Sequence, residues 1–206
     1  MFSSQTEGNG LSLETDNNSI TRCAWATNDL LTQYHDTEWG IPLHDDQRLF
    51  ELLILEGMQA GLSWHTVLKK RHAFRMAFDD FQAKKISKYS QQKVEQLLQN
   101  TSIIRNRRKI LAVIKNATSY MSIQKEYGSF DHYIWQFVDG KPIQNYWTHH
   151  QHVPSNTAAS DAMSKDLKHR GCSFVGTTIC YAFMQAAGMV NDHTTNCFRY
   201  TQIQIP

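Results

Sequence analysis

An apolar stretch that contains one acid constrains the fold of this chain most. Leu49, Leu52, Leu53, Glu56 and Ala60 recur at helical spacing and form one stripe of a predicted helix. A carboxylate that shares a face with leucines is paired, protonated or waiting for a cationic ligand, because a desolvated lone charge is costly. The stretch therefore indicates either a ligand site or an acid at a helix end in a surface salt bridge.

The residues after this acid favour a pocket. Gly57 and Gly61 allow the backbone to turn or to approach another group closely, and Trp64 follows them. An acid next to an aromatic side chain is typical of a site for a flat, electron-poor molecule. Both readings of Glu56 remain open at this point.

Composition places the chain among ordinary globular proteins. Its 206 residues suffice for one domain or for two small lobes that share a core. No apolar run approaches the ~18 residues of a membrane-spanning helix, and no secretory signal precedes the polar segment 1–20, which we expect to be a disordered tail. We expect a cytoplasmic protein with reduced cysteines and no contact with membranes.

Helical periodicity with capping residues continues along the rest of the chain. Asp45 and Asp46 suit the start of the helix that carries Glu56, and Ser63 or Trp64 begins another helix that reaches Phe78. Its basic residues most simply face solvent. Ser160 is predicted to cap a later helix, and no convincing strand is found. The prediction is an all-α fold with one domain over 21–206.

A basic region lies in the middle of the chain. A helix beginning near Ser90, a tight connection at 100–104 and a second helix predict a helix-hairpin-helix unit over about 90–121. Exposed hairpin amides and the positive end of a helix suit a phosphate, although a solvated basic face is an equally good reading. The predicted DNA-backbone contacts are Ser102, Arg105, Arg107, Arg108 and Lys109.

Soft metal ligands occur near both ends of the predicted domain. Cys23 and His35 are near its start, while His193 and Cys197 are one helical turn apart near its end. Two thiolates and two imidazoles would suit a closed, structural zinc site. On the residues alone, a buried cysteine and an unrelated surface histidine are the favoured explanation. A further cluster at 149–152 has no cysteine or carboxylate beside it and stays unassigned.

Six blocks of the sequence resemble the family of 3-methyladenine DNA glycosylase I, bacterial alkylation-repair enzymes. The blocks occur in order over nearly all of the chain after the tail: RCAW (22–25), YHDTEWGIP (34–42), LEGMQAGLSWHTVLKKR (55–71), SIIRNRRKI (102–110), SDAMSKDLKHRG (160–171) and FVGTTICYAFMQAAGMVNDH (174–193). Ser102 and Arg108 stand where that family tends to have glycine.

The resemblance implies a helix-hairpin-helix glycosylase fold whose termini are joined by one structural zinc ion. It makes Cys23, His35, His193 and Cys197 the zinc ligands and Glu56 the acid that contacts the methylated base. The aromatic residues that it implies around that base are Trp64, Tyr34 and Trp25, with Trp39 nearby.

The expected function is that of a monofunctional glycosylase, because no lysine is positioned for a Schiff base. It would extrude N3-methyladenine from alkylated double-stranded DNA and hydrolyse the N-glycosidic bond as a monomer. The first alternative is a non-catalytic, zinc-stabilised helix-hairpin-helix module that binds DNA. The second is a zinc hydrolase with an open coordination position, against which the fourth soft ligand, Cys197, argues.

Overall fold

A computed structural model describes residues 20–203 of the chain, so all but the last residue of the predicted tail lies outside it. Within that range the architecture is helical, as predicted. The α-helices are α1 Asp29–Thr37, α2 Asp46–Gln59, α3 Trp64–Lys69, α4 Arg71–Ala77, α5 Ala83–Ile86, α6 Gln91–Gln99, α7 Arg107–Tyr127, α8 Phe130–Trp135, α9 Ala158–His169, α10 Thr177–Ala186 and α11 Phe198–Gln202. Short 3-10 turns occupy Asp79–Phe81, Gln136–Val138 and His150–His152.

Helix α2 lies at the centre of the fold. Every residue from Leu49 to Met58 is buried, and the helix packs against α3, α7, α8 and α10. Helix α10 packs in turn on α9. Side chains from all of these helices form one hydrophobic core. Because this part of α2 is buried, Glu56 lies in the interior of the protein.

Side-chain caps explain where several helices begin. Asn28, Asp45, Ser63, Ser90 and Asn106 each accept a hydrogen bond from a backbone N–H in the first turn of the helix that follows. The prediction that Ser160 caps α9 was wrong. Thr157 is the N-cap, and Ser160 completes a capping box from the third helical position.

The prediction that the chain contains no strand was wrong for two short segments. β1 (Ile143–Gln144) pairs in parallel with β2 (Val190–Asn191), with Ile143 opposite Val190. Trp147 and Thr194 extend the pairing by one bridge. Two-residue strands are too short to produce an alternating pattern, so the sequence carries no signal for them. Their pairing holds the segment before α9 against the segment that follows α10.

The region from Ser63 to Phe78 forms two helices rather than one. The chain breaks at Lys70, between α3 and α4. The prediction that the basic residues of this region face solvent was wrong for Arg71, which is largely buried. Its guanidinium donates to Glu51 Oε1 at 2.7 Å and to Glu38 Oε2 at 2.6 Å. This ion-pair group ties α4 to α2 and to the end of α1.

A helix, a tight connection and a second helix occur where the sequence predicts them. Helix α6 leads through residues 100–106 into α7. Asn100 Oδ1 accepts from the Ser102 amide at 3.0 Å, and Lys70 Nζ donates to the Ser102 carbonyl at 3.0 Å. Both contacts hold the connection in a fixed turn. None of the helices in the described range is long and apolar enough to cross a membrane.

Candidate active site

A cavity of about 290 Å³ opens beside the C-terminal half of α2. All five residues that the sequence predicts around a bound base lie on its wall, although they come from separate segments of the chain. Other lining residues include Leu31, Gln59 and Gln185. The predicted base-contacting residues that the fold brings together here are Trp25, Tyr34, Trp39, Glu56 and Trp64.

Glu56 is the buried acid of this cavity. Its side chain is 4% exposed, and its Oε2 atom has no hydrogen-bond partner among the described residues. Burial raises the pKa of this carboxyl to about 8. The surface salt bridge considered as an alternative is therefore excluded within the described chain. An acid so placed gains most from a ligand that brings hydrogen-bond donors or a positive charge.

Two further polar atoms on the cavity wall lack partners among the described residues. They are the hydroxyl of Tyr34 on α1 and the indole Nε1 of Trp64 at the start of α3. The two rings lie 5.4 Å apart at an interplanar angle of 52°. Burial, followed by the charge of Glu56, raises the pKa of the Tyr34 hydroxyl, which stays protonated. Buried polar groups are nearly always satisfied, so three unpartnered atoms in one cavity indicate a ligand site.

Trp25 and Trp39 also form part of the cavity wall. Their rings pack edge to face at 5.0 Å. Trp25 also lies 5.2 Å from the His35 ring, and Trp39 lies 4.6 Å from the His193 ring. These two histidines belong to the candidate metal cluster. The cavity aromatics are thus supported from behind by that cluster.

The four predicted metal ligands converge, although they come from opposite ends of the described chain. Cys23, His35, His193 and Cys197 are all buried, and their ligand atoms lie within 4.8 Å of one another. Cys197 Sγ is 3.4 Å from His35 Nε2 and 3.5 Å from His193 Nδ1. Cys23 Sγ is also 3.5 Å from His193 Nδ1.

These distances fit a tetrahedral metal site. Zinc–sulfur and zinc–nitrogen bonds of about 2.3 and 2.0 Å at tetrahedral angles put the sulfur and nitrogen atoms about 3.5 Å apart. The other ring nitrogens are oriented by hydrogen bonds, as in known zinc sites. His35 Nδ1 contacts Asp36 Oδ1 at 2.7 Å, and His193 Nε2 contacts the Trp39 carbonyl at 3.2 Å. Arg22 in turn pairs with Asp36 at 2.8 Å.

The residues predicted to contact the DNA backbone divide into two groups. Arg105, Arg107 and Arg108 are exposed beside the connection between α6 and α7, and Arg107 pairs with Glu95 at 2.7 Å. Lys109 differs from its prediction, since its side chain is buried. Its ammonium donates to the carbonyls of Met58 and Ala60 at 2.8 and 2.7 Å. It holds the end of α2 and cannot reach a phosphate without leaving those carbonyls.

Several residues of the site were not predicted. Gln59 shares the helical face of Glu56 one turn later, so the periodicity of α2 could have identified it. His65 and His150 also line the cavity, and His150 belongs to the histidine cluster that the sequence left unassigned. The position of His150 depends on the packing of the 139–157 segment, for which no local sequence signal exists.

The comparisons with known proteins agree with this geometry. The sequence model of the family described as Methyladenine glycosylase matches residues 25–200. DNA-3-methyladenine glycosylase 1 of Escherichia coli K12 is 48% identical over 182 residues, which cover 88% of this chain and 97% of that protein. A crystal structure of 3-methyladenine DNA glycosylase I is 50% identical with a TM-score of 0.85, covering 86% of this chain and 98% of the other.

A second solved structure extends the likeness to a liganded protein. It is a variant of 3-methyladenine DNA glycosylase I in complex with 3-methyladenine, 36% identical to this chain with a TM-score of 0.84. The alignment covers 86% of this chain and 96% of that one. Since the family match and the likeness in fold both span nearly all of the described residues, the chain belongs to the methyladenine glycosylase family.

Proposed function

We propose that this protein extrudes N3-methyladenine from alkylated double-stranded DNA and hydrolyses the bond that joins the base to deoxyribose. One observation carries the proposal. The Glu56 carboxyl is buried in a cavity whose wall contains four aromatic side chains, and its Oε2 atom has no partner among the described residues. A flat, cationic base can stack on these rings and brings the positive charge that would pair with Glu56.

The size of the cavity supports extrusion of a single nucleotide. At about 290 Å³ it is close to the lower end of the range for small-molecule sites and is too narrow for a duplex. A base inside the helical stack cannot reach Glu56, which lies on the wall of an internal cavity. Entry therefore requires the nucleotide to rotate out of the duplex.

The chemistry of the substrate explains why Glu56 need not be a proton donor. Methylation at N3 gives the base a positive charge, so the base leaves as a neutral molecule when the C1′–N9 electron pair moves onto it. Water then adds its oxygen to C1′ and releases a proton, which leaves an abasic site. A general acid is dispensable in this reaction. What remains for the protein is binding, orientation and stabilisation of positive charge.

Glu56 would serve that role as a carboxylate. Its Oε2 atom has no partner among the described residues and would accept hydrogen bonds from the base, and its charge would stabilise the developing oxocarbenium sugar. Its pKa of about 8 reflects a cavity without a ligand. A cationic base favours the ionised form and lowers this pKa, so binding is coupled to loss of the proton. An unmodified adenine carries no such charge and gains less.

Around this cavity the protein would hold the DNA through its backbone. Ser102, Arg105, Arg107 and Arg108 are exposed beside the connection between α6 and α7, and three of them are cations. Such contacts provide affinity without sequence preference. Leu62 is 43% exposed in the loop 60–63 between α2 and α3 and is suited to fill the space that an extruded base leaves.

Zinc in this proposal is structural. Cys23, His35, His193 and Cys197 would hold one ion, and this closed donor set leaves no position for a water molecule. When bound, the ion supplies a cross-link between the two ends of the domain. The rings of His35 and His193 then fix Trp25 and Trp39 in the cavity wall.

The proposal is tested by release of free base from methylated duplex DNA. We expect the wild-type protein to release 3-methyladenine and Glu56→Gln to be slower by about 10²-fold, because the amide removes the charge but keeps the shape. Glu126→Gln is the control variant, since Glu126 is exposed near the C-terminal end of α7 and does not line the cavity. That variant should retain wild-type activity.

Two outcomes would contradict the proposal in different ways. Absence of released 3-methyladenine with the wild-type protein would favour the non-catalytic DNA-binding module. Full activity of Glu56→Gln would leave the reaction intact and refute the assigned role of Glu56. Chromatography of the released base distinguishes enzymatic excision from cleavage of the DNA strand.

A further inference from the structure

A basic groove lies outside the cavity, and of its lining residues only Arg108 has a role in the function proposed above. It has a volume of about 580 Å³ and runs between α7, α9 and the start of α10. Its exposed cations are Arg108, Lys115 and Lys168, and none of the described residues that line it is acidic. Within residues 20–203 these three side chains form no ion pair or side-chain hydrogen bond. Cations left free of partners in a concave surface favour an anionic ligand.

The floor of the groove is apolar. Leu111, which is 43% exposed on α7, and the partly exposed Phe174 both line the groove. Apolar and aromatic side chains between cations are typical of nucleic-acid surfaces, where they contact sugars and bases while the cations contact phosphates. A groove for a small inorganic anion would need neither of them.

The loop that carries Phe174 is held rigidly. Phe174 has a φ of +56°, a conformation that costs a non-glycine residue free energy and persists only where neighbours enforce it. Asn116, which is buried on α7, donates to the Ser173 carbonyl at 2.9 Å and accepts from the Ser173 amide at 2.8 Å. Ser119 adds a hydrogen bond to the Arg170 carbonyl at 2.9 Å. The groove is therefore a preformed surface.

Acids near the groove are already engaged. Asp166 pairs with Arg170 at 2.6 Å, and Asp161 accepts a hydrogen bond from the Thr177 hydroxyl. No side chain of residues 20–203 caps the start of α10 at Gly176, so the first amides of that helix are available at the edge of the groove. The residues that line the groove thus carry a net positive charge.

The groove is continuous with the region that would bind DNA. Arg108 lies in the first turn of α7, directly after the connection from α6. Phe174 packs against Gly57, the neighbour of Glu56: a Cβ atom on Gly57 would lie 3.3 Å from the Phe174 carbonyl oxygen. The groove, the α6–α7 connection and the base cavity thus surround the C-terminal end of α2.

We propose that this groove binds the sugar-phosphate backbone of one arm of the DNA substrate, beyond the contacts at the α6–α7 connection. Arg108 and Lys115 are two helical turns apart, a rise of about 10 Å, which matches about three steps along one strand. Lys168 faces them from α9. This proposal rests on the proposed function, because it extends the surface that would hold the same DNA.

The test measures DNA binding of the full protein as a function of salt concentration. The double variant Lys115→Gln/Lys168→Gln removes two cations, and Lys125→Gln/Lys141→Gln removes two exposed cations elsewhere as the matched control. Binding to a duplex with a stable abasic-site analogue is followed by fluorescence anisotropy. We expect the slope of log K against log salt to fall by about 2 in the groove variant, about 0.9 per lost contact, and to be unchanged in the control.

A second arm of the test locates the contact. Shortening the duplex on one side of the lesion should remove the difference between wild type and the groove variant, and shortening the other side should preserve it. An unchanged salt slope, or equal losses in the control, would overturn the groove proposal even if the protein excises the base. Failure of the wild-type protein to excise the base contradicts the proposed function, whatever the salt slopes are.

Discussion

At the scale of single residues, Glu56 shows how a fold can hold an acid where its ionised form is unfavourable. The carboxyl lies on the apolar stripe of α2, where burial raises its pKa from 4.5 to about 8. No cation compensates it among the described residues. A buried acid of this kind lowers the stability of the free protein and is available to a ligand. Acids with perturbed pKa values therefore concentrate at functional sites.

The cost of this acid predicts a pH dependence of stability. Between pH 4.5 and about 8 the folded protein binds more protons at Glu56 than the unfolded chain does, so the free energy of unfolding falls as pH rises. Glu56→Gln removes this contribution. We expect the stability of the variant relative to wild type to increase with pH, by up to about 1.4 kcal/mol per unit.

Urea denaturation of both proteins from pH 5.5 to 8.5 measures that difference. All other titrating groups are shared, so they cancel in the comparison. Stability curves that run parallel across this range would show that Glu56 titrates normally in the folded protein.

At the scale of elements, the end of α2 is positioned by α7. Helix α2 ends at Gln59, and Gly61, with a φ of +74°, redirects the chain toward Trp64. The Lys109 ammonium binds the carbonyls of Met58 and Ala60, which are among the last of the helix and lack helical partners. Lys109, which the sequence predicted to contact DNA, thus supports the loop 60–63 between α2 and α3 instead.

Removing this support should affect stability and activity together. Lys109→Met keeps the apolar stem but loses two charge-assisted hydrogen bonds, which should destabilise the protein by about 2–3 kcal/mol. Release of 3-methyladenine at saturating DNA should also slow, because the end of α2 and the loop 60–63 lose the hydrogen bonds that position them.

Lys125→Met is the matched control, since Lys125 is exposed on the same helix. Its stability and activity should equal those of wild type. If Lys109→Met kept full stability and only weakened DNA binding, the original assignment of Lys109 to the DNA backbone would be correct after all.

At the scale of the whole molecule, the two ends of the described chain meet behind the cavity. Cys23 and His193, which are 170 residues apart, lie 3.5 Å from each other through Sγ and Nδ1. The pairing of β1 with β2 and the bridge from Trp147 to Thr194 fix the segment that contains His193. Cross-linking such distant segments restricts the unfolded chain strongly.

Metal analysis tests this arrangement. We expect about one zinc ion per chain, lost in Cys197→Ala, with a decrease of about 10 °C or more in Tm because metal binding contributes to folding. Cys172→Ala should keep its zinc, since Cys172 lies outside the cluster. A metal-free wild-type protein with an undiminished Tm would refute the zinc assignment.

Local sequence patterns determined much of the helical architecture. Apolar residues at helical spacing and capping residues such as Asp45 and Ser90 specify helices through contacts within a few residues, so they can be read without a structure. The same spacing revealed Glu56 as an unusual acid. The likeness to a glycosylase family then implied the metal ligands and the aromatic residues around it.

Tertiary packing alone decided which residues meet. It brought Cys23 to His193, buried Arg71 and Lys109, paired two strands of two residues each, and placed His150 at the cavity and Lys168 opposite Lys115. The physical reason is that periodicity states which face of a helix is apolar and says nothing about its partner. The partner depends on long-range packing, in which even a cation is buried if two carbonyl groups are there to accept its hydrogen bonds.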